Sequence, residues 1–420
     1  MPGFERVAAC RICGNTNLAA VVDLGDQYLT GVFPATPDQP LTRGPLELVR
    51  CAGGGDCCGL VQLQHSYDPD EMYGKDYGYR SSLNRAMVEH LRAKADQLIG
   101  LARPKAGDLV LDIGSNDGTL LSFFPEECVR VGMDPSAAAL SHSYPRGSLC
   151  IVDFFSLERF RNKVGDRKAK VITSIAMFYD LADPQSFVND VAAIIDKDGI
   201  WHFEQSYLPF MLATTGYDTI CHEHVEYYAL AQIEWMLNKA GLRLIDVQMN
   251  DVNGGSFAVT ACRASSSHTA NVARIDAARS READAQLKDP ATYLGFADRV
   301  MRHRDELKAL IEKLVSDGRL VLGYGASTKG NVMLQFCGFG PAEIPSIAEV
   351  NESKYGCFTP GSLIPIVSEA DAHAMKPDYL LVMPWHFRNN IIKRETDFLK
   401  RGGKMIFPLP AVEIVGWSDL

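Results

Sequence analysis

His222, Glu223 and His224 stand side by side in the segment YDTICHEHVEYY, residues 217–228. Such side chains move or hold protons, and the cluster suits general acid–base work. On an extended backbone, neighbouring side chains point opposite ways. His224 is the candidate base, with Glu223 or Glu226 orienting it or holding substrate. The zinc-protease pattern does not apply, because it needs two histidines four apart on a helix and these are two apart.

A second chemical signal lies in LVLDIGSNDGTLL, residues 109–121. An apolar strand ends at Asp112-Ile113, and a turn containing Gly114 and Gly118 opens a helix. Glycines there let the backbone approach a ligand at the strand's carboxyl end. The spacing Asp-x-Gly-x-x-x-Gly differs from the dinucleotide fingerprint. The next strand ends in an acid, Asp134, 22 residues after Asp112, where a carboxylate can accept ribose hydroxyls. In CIVDFF, Asp153 offers an acceptor for an adenine amine, and Phe154 an aromatic wall. The expected ligand is S-adenosylmethionine, bound by Asp112, Gly114, Asn116, Gly118, Asp134, Asp153 and Phe154.

Five of the 11 cysteines fall in the first 58 residues: Cys10, Cys13, Cys51, Cys57 and Cys58. Cys10-x-x-Cys13-Gly is half of a zinc knuckle. Four thiolates would close a structural tetrahedral zinc site with no open catalytic position. Cys10, Cys13, Cys51 and Cys58 are the expected ligands, with Cys57 the alternative to Cys58.

Two further segments are candidates for substrate contact. YGKDYGYRSSLN, residues 73–84, reads either as an ordered loop with a helix N-cap at Ser81 or Ser82 or as a lid of tyrosines over substrate. GYGASTKGN, residues 323–331, follows a strand and precedes a helix. Its Ser327, Thr328 and Lys329 suit a phosphate at a helix N-terminus, although the order is not that of a P-loop.

Positioning these groups requires an α/β framework. LVLDI (109–113), VRVGM (129–133), KVITSIAMF (170–178) and GIWHFEQ (199–205) read as buried strands, with helical patterns such as PQSFVNDVAAIID between them. Strands alternating with helices predict a parallel, doubly wound sheet. A helix is expected over 82–101, and long surface helices over 265–317. The strand–helix pattern then restarts in RLVLGYGAST, PSIAEV, PDYLLVMP and GKMIFPLP. The expected organisation is a zinc-binding module (1–70), a Rossmann-like methyltransferase domain (71–265), and a helical connection with a C-terminal Rossmann-like α/β domain (266–420).

A chain of 420 residues exceeds one ordinary core. Its formal net charge of −10 argues against a broad nucleic-acid surface. Within residues 1–60, four arginines face six acids. No stretch is apolar enough to span a membrane, and MPGFERVAACRICG lacks a signal peptide's basic start and apolar core. A cytoplasmic protein acting as a monomer is expected, with no nucleic-acid or membrane partner.

Taken in order, Cys10/Cys13, CGLVQL, DIGSNDGTLL, HEHVEYY, GYGASTKGN, NESKYGCFTPGSLIPI and PWHF resemble the sugar C-methyltransferases that act on nucleotide-linked deoxysugars. The resemblance spans nearly the whole chain. It implies a nucleoside-diphosphate 4-keto-deoxysugar acceptor, held partly by the zinc module and the C-terminal unit. It implies proton abstraction beside the ketone by His224, with Glu223 assisting or binding sugar and Tyr77 or Tyr79 facing the ketone oxygen. Arg80, Ser81, Tyr179, His222, Lys329 and Asn331 are the other residues expected to contact the acceptor. The chain departs from the family in two places: Cys221 stands where better-known members have a tyrosine, and Tyr179 where they tend to have a histidine. The competing readings are a zinc-bearing methyltransferase acting on RNA or a small non-sugar acceptor, and a nucleotide-sugar dehydrogenase or epimerase.

Overall fold

The computed structural model describes residues 3–54, 57–73 and 80–420. Short strands dominate the N-terminal part: β1 (Phe4–Arg6), β2 (Leu18–Tyr28), β3 (Arg43–Cys51), β4 (Val61–Leu63) and β5 (His65–Tyr67). β1 pairs with β5.

The central sheet takes β6 (Leu109–Ile113), β7 (Val129–Met133), β8 (Leu149–Ile151), β9 (Ala169–Ile175) and β10 (Ile195–Ser206). After β11 (Glu226–Tyr227), it is completed by β12 (Leu242–Asn250) and β13 (Ser256–Arg263). Its order is β12-β13-β10-β9-β6-β7-β8. β6 to β10 run parallel, and β13 runs antiparallel between β10 and β12. LVLDI forms a central strand because all five residues are buried, as an unbroken apolar run predicts. Truncating one of its leucines to alanine would cost about 2–5 kcal/mol. Strand order reverses between β6 and β9, which places a ligand crevice at the loops following them.

The helix before β6 covers Arg85–Ala102, three residues later than the sequence suggests. Its N-cap is Asn84, whose side chain accepts from the Ala86 and Met87 amides. Ser81 and Ser82 do not cap it. Their amides donate instead to Asn116 Oδ1 and Asp117 Oδ2, tying this loop to the turn after β6.

The C-terminal sheet comprises β14 (Val321–Tyr324), β15 (Ile347–Glu349), β16 (Ile366–Ser368), β17 (Tyr379–Val382), β18 (Lys404–Phe407) and β19 (Glu413–Val415). Its order is β16-β15-β14-β17-β18-β19, reversing between β14 and β17. The two sheets share one construction detail. The glycine after the first strand is in the left-handed region, Gly114 at φ +74° and Gly325 at φ +84°. A Cβ on Gly114 would stand 2.8 Å from Met177 Cγ, and one on Gly325 2.7 Å from Pro384. Each glycine lets the loop across the switch point pack closely.

Two features depart from modules strung in sequence. The chain leaves the central sheet after β10 and lends β11 to β4, giving a four-stranded sheet ordered β11-β4-β3-β2. Pro290–Ser316 is a single 27-residue helix, and it is more than a surface connector. Tyr293, Phe296, Val300, Leu307, Ile311 and Leu314 are buried along one face, in a core shared with β2–β4 and β14. Among the described residues, no helix is long and apolar enough to cross a membrane.

Candidate active site

The zinc ligands assemble from the turn Cys10–Cys13 and the end of β3. The Sγ atoms of Cys10, Cys13, Cys51 and Cys58 lie within 4.8 Å of one another. Cys10 and Cys58 are 3.4 Å apart, and Cys13 and Cys51 3.5 Å. Zn–S bonds of about 2.3 Å at tetrahedral angles put sulfurs about 3.8 Å apart, so the four thiols fit zinc. Asn15 Nδ2 donates to the Cys51 sulfur at 3.2 Å, the outer support such sites use. Cys57 turns away, its thiol donating to the Gly53 carbonyl, so Cys58 completes the set. The site is tied to the segment after His224. Gln232 Nε2 donates to the Cys58 carbonyl at 2.7 Å, and Arg11, inside the knuckle, is attracted to buried Glu226 on β11.

A cavity of about 400 Å³ runs from the central switch point to the C-terminal unit, a volume suited to small-molecule ligands. At one end it is lined by Asp112, Gly114, Asn116, Asp134 and Phe154, with Phe155 and Met177. Asp112 Oδ1 accepts from the Thr173 hydroxyl at 2.7 Å, and burial pushes its carboxyl up to about 7. Asp134 accepts the Asn116 amide at 2.8 Å and the Ser136 amide at 2.7 Å, which fixes it beside the turn. An acidic, partly aromatic lining fits a ligand with ribose, adenine and a cationic sulfonium. Two expected cofactor residues lie elsewhere. Asp153 is half-exposed and paired with Arg159 at 3.1 Å, and it does not line the cavity although the next residue, Phe154, does. Gly118 packs against Tyr144 and shapes the turn from behind.

Ser206, Ser256, Glu204 and Gln205 close the cavity floor. Glu204 is held by Lys94 at 2.8 Å, His90 at 2.6 Å and Asn250 at 2.9 Å. Burial opposes its ionisation, and the His90 hydrogen bond with the Lys94 charge outweighs burial, taking it to about 2. Gln205 is buried, with neither side-chain polar atom partnered among the described residues.

The reactive end is formed by Glu223, His224, Tyr179 and Asp180, with Thr328 and Lys329 from the C-terminal unit. The backbone of 221–224 is a turn, closed by the His224 amide on the Cys221 carbonyl, so alternation does not hold. Glu223 and His224 both reach the cavity. His222 points away and packs edge-on to Tyr67 at 4.6 Å, fully buried, and it has no place in substrate contact. His224 Nδ1 lies 3.0 Å from the Thr219 carbonyl oxygen, and its ring packs on Tyr179 at 4.2 Å. A carbonyl only accepts, so Nδ1 carries the hydrogen and neutral Nε2 keeps its lone pair. Burial and the Lys329 charge push this imidazole down to about 3.

Glu223 meets the N-terminal module at Thr30, whose hydroxyl donates to its Oε2 at 3.3 Å. A Cβ on Gly31 would stand 2.1 Å from Glu223 Oε1, so a side chain there would displace the Glu223 carboxyl. Burial pushes the Glu223 carboxyl up. Asn331 is fully buried and donates to the Thr30 carbonyl at 2.7 Å, locking the modules together instead of facing the cavity. Asp218 is buried and Lys329 half-buried at the cavity wall, with desolvation pushing Lys329 down and Asp218 up while each opposes the other's shift. Asp218 also accepts from Trp385 Nε1 at 2.8 Å, from the loop after β17. Both C-terminal switch-point loops therefore converge here.

Ser81 lines the cavity, and Arg80 is exposed outside it. Tyr77 and Tyr79 lie outside the described residues. Sequence reasoning missed Asp180, Glu204, Gln205 and Asp218. For Glu204 and Gln205 the available signal was an acid and an amide at the carboxyl end of β10.

Residues 10–73 match a zinc binding domain, residues 87–247 a methyltransferase domain, and residues 251–410 the C-methyltransferase C-terminal domain. The chain is 33% identical over 411 residues to C-methyltransferase NovU of Streptomyces niveus, covering 97% of this chain and 96% of NovU. Among solved structures, a magnesium protoporphyrin IX methyltransferase from Synechocystis PCC 6803 is 13% identical, covering 43% of this chain and 88% of its own, with a TM-score of 0.33. An O-methyltransferase family protein from Burkholderia thailandensis is 18% identical, covering 44% and 59%, with a TM-score of 0.33.

Proposed function

Since the chain belongs to the C-methyltransferases, using S-adenosylmethionine and carrying a zinc-binding module, we propose that its acceptor is a nucleoside-diphosphate 4-keto-deoxysugar methylated beside the ketone. The bound donor supplies an electrophilic methyl group. The chain supplies the nucleophile by making a carbanion equivalent at an acceptor carbon. His224 Nε2 takes the proton alpha to the ketone, the released C–H pair forms a C=C bond, and the C=O π pair moves onto the ketone oxygen. Lys329 and Thr328 hold the acceptor from the C-terminal side, and a cation there suits a diphosphate. Holding acceptor and donor in register in one cavity supplies much of the remaining rate.

The observation that carries this reading is the Nδ1 bond of His224 to Thr219. It leaves a proton-accepting nitrogen in a cavity lined by both the cofactor turn and the C-terminal unit. A cytoplasmic location fits cysteines that form no disulfide and a four-thiol cluster suited to zinc.

Calorimetry of the purified protein against S-adenosylhomocysteine, NAD, and TDP-, GDP- and UDP-sugars tests the reading. The expected result is binding of S-adenosylhomocysteine and of one nucleotide sugar. Binding of S-adenosylhomocysteine with none of the nucleotide sugars would move the acceptor to another chemical class.

A further inference from the structure

Asp180 follows β9 and lines the cavity together with Tyr73, Tyr179, Glu223 and His224. Its Oδ1 is sealed from solvent and has no hydrogen-bond partner among the described residues. The carboxyl group is also hydrogen-bonded by the Tyr73 hydroxyl, which reaches the Glu223 carbonyl at 3.3 Å. Glu223 is differently placed. Its carboxyl is engaged by the Thr30 hydroxyl, the Gly31 amide and the Cys221 thiol. Among the described residues, Asp180 is the one of these two acids with a carboxyl oxygen that no hydrogen bond engages. Burial raises its pKa well above the carboxylate range, the Tyr73 hydrogen bond opposes this, and the nearby Glu223 and Glu226 add to the rise. A carboxyl that burial disposes to keep its proton can donate a hydrogen bond.

We propose that Asp180 is a catalytic acid whose carboxyl O–H hydrogen-bonds the acceptor's ketone oxygen and stabilises the enolate that His224 generates. This rests on the ketone acceptor proposed above. In the step, the C–H bond alpha to the ketone breaks and its proton goes to His224 Nε2. The electron pair forms the C=C bond, and the former C=O pair moves onto oxygen. Asp180 keeps its proton, shared with that oxygen. When the carbon bonds to methyl, the C=O bond reforms and the hydrogen bond weakens. The interaction is strongest while charge sits on oxygen, as transition-state stabilisation requires.

The test is hydrogen–deuterium exchange at the alpha carbon of TDP-4-keto-6-deoxyglucose, followed by NMR in D2O with the full zinc-loaded protein. S-adenosylhomocysteine is present in place of the methyl donor, so that enolisation is read alone. Losing one such donor costs on the order of 10²–10³ in rate. Asp180→Ala should slow exchange by about 10²-fold. Asp180→Asn, whose amide still donates, should stay within about tenfold of wild type. Both should keep their affinity for S-adenosylhomocysteine, which also reports on the fold. Exchange by Asp180→Ala at nearly the wild-type rate would overturn the proposal. So would Asp180→Asn as slow as Asp180→Ala, because Asp180 would then act as a carboxylate. Wild-type protein that fails to exchange this ketosugar would overturn the acceptor reading, and the role of Asp180 with it.

Discussion

His224 donates its Nδ1 hydrogen to the Thr219 carbonyl at 3.0 Å, and that bond determines which nitrogen faces the acceptor. The Tyr227 hydroxyl donates to the same carbonyl at 3.2 Å, which helps hold it in place. His224→Asn removes the basic nitrogen. Methyl transfer should fall by about 10³-fold in a single-turnover assay, with S-adenosylhomocysteine affinity unchanged. A variant with full activity would remove His224 from the reaction.

The same imidazole sets a pH dependence. Burial and the Lys329 charge lower it to about 3, so protonation disables the base only well below neutrality. The single-turnover rate should be flat from about pH 8 down to about pH 6, where a histidine of ordinary pKa, about 6.5, would lose about three-quarters of its activity. A limb near pH 6.5 in the wild type, absent from a residual-activity His224→Asn profile, would contradict the neutral buried base.

Asp134 and Asp153 should behave differently, although the sequence suggests similar roles. Asp134→Ala removes the carboxylate beside Asn116, and affinity for S-adenosylhomocysteine should fall roughly 10–100-fold by calorimetry. Asp153 is already paired with Arg159, and Asp153→Ala should change affinity by less than about threefold.

Adjacent cysteines separate the same way. Cys58→Ser should lose stoichiometric zinc by elemental analysis and lower the melting temperature, because the four-sulfur site adds its binding energy to folding. Cys57→Ser should keep the metal. Zinc loss should also impair catalysis, since Gln232 ties Cys58 to the segment that follows His224.

Lys94→Met should leave Glu204 buried without its cation and destabilise the protein by about 3–5 kcal/mol in chemical denaturation. Glu204 is depressed to about 2 from an ordinary 4.5. Its contribution is therefore fully present above pH 4.5 and is lost as the pH falls toward 2. The variant should lose that acid sensitivity along with its stability at neutral pH.

What the sequence made legible was local. An unbroken apolar run ending in Asp112 and Gly114 marks a buried strand feeding a ligand turn, because both signals lie within a few residues. Cysteine spacing did the same for zinc, up to the choice between Cys57 and Cys58, which depends on how the chain turns after Gly53. Contacts across long stretches of chain were not legible. His222 reads as an acceptor contact beside the base His224, yet a turn at Cys221–His224 directs it onto Tyr67. Asn331 reads as an acceptor contact, yet its partner is the Thr30 carbonyl in another module. Asp180 gave no motif. Its position depends on the turn after β9, where the Tyr179 carbonyl accepts from the Val225 amide just before β11, which pairs with the N-terminal sheet.

The most direct test of the central claim is NMR of the product formed from methyl-13C-labelled S-adenosylmethionine and TDP-4-keto-6-deoxyglucose. The account predicts a labelled methyl group bonded to a ring carbon adjacent to the ketone, with the hydrogen on that carbon lost. Label on an oxygen, or no transfer to nucleoside-diphosphate ketosugars while a non-sugar ketone is methylated, would contradict it.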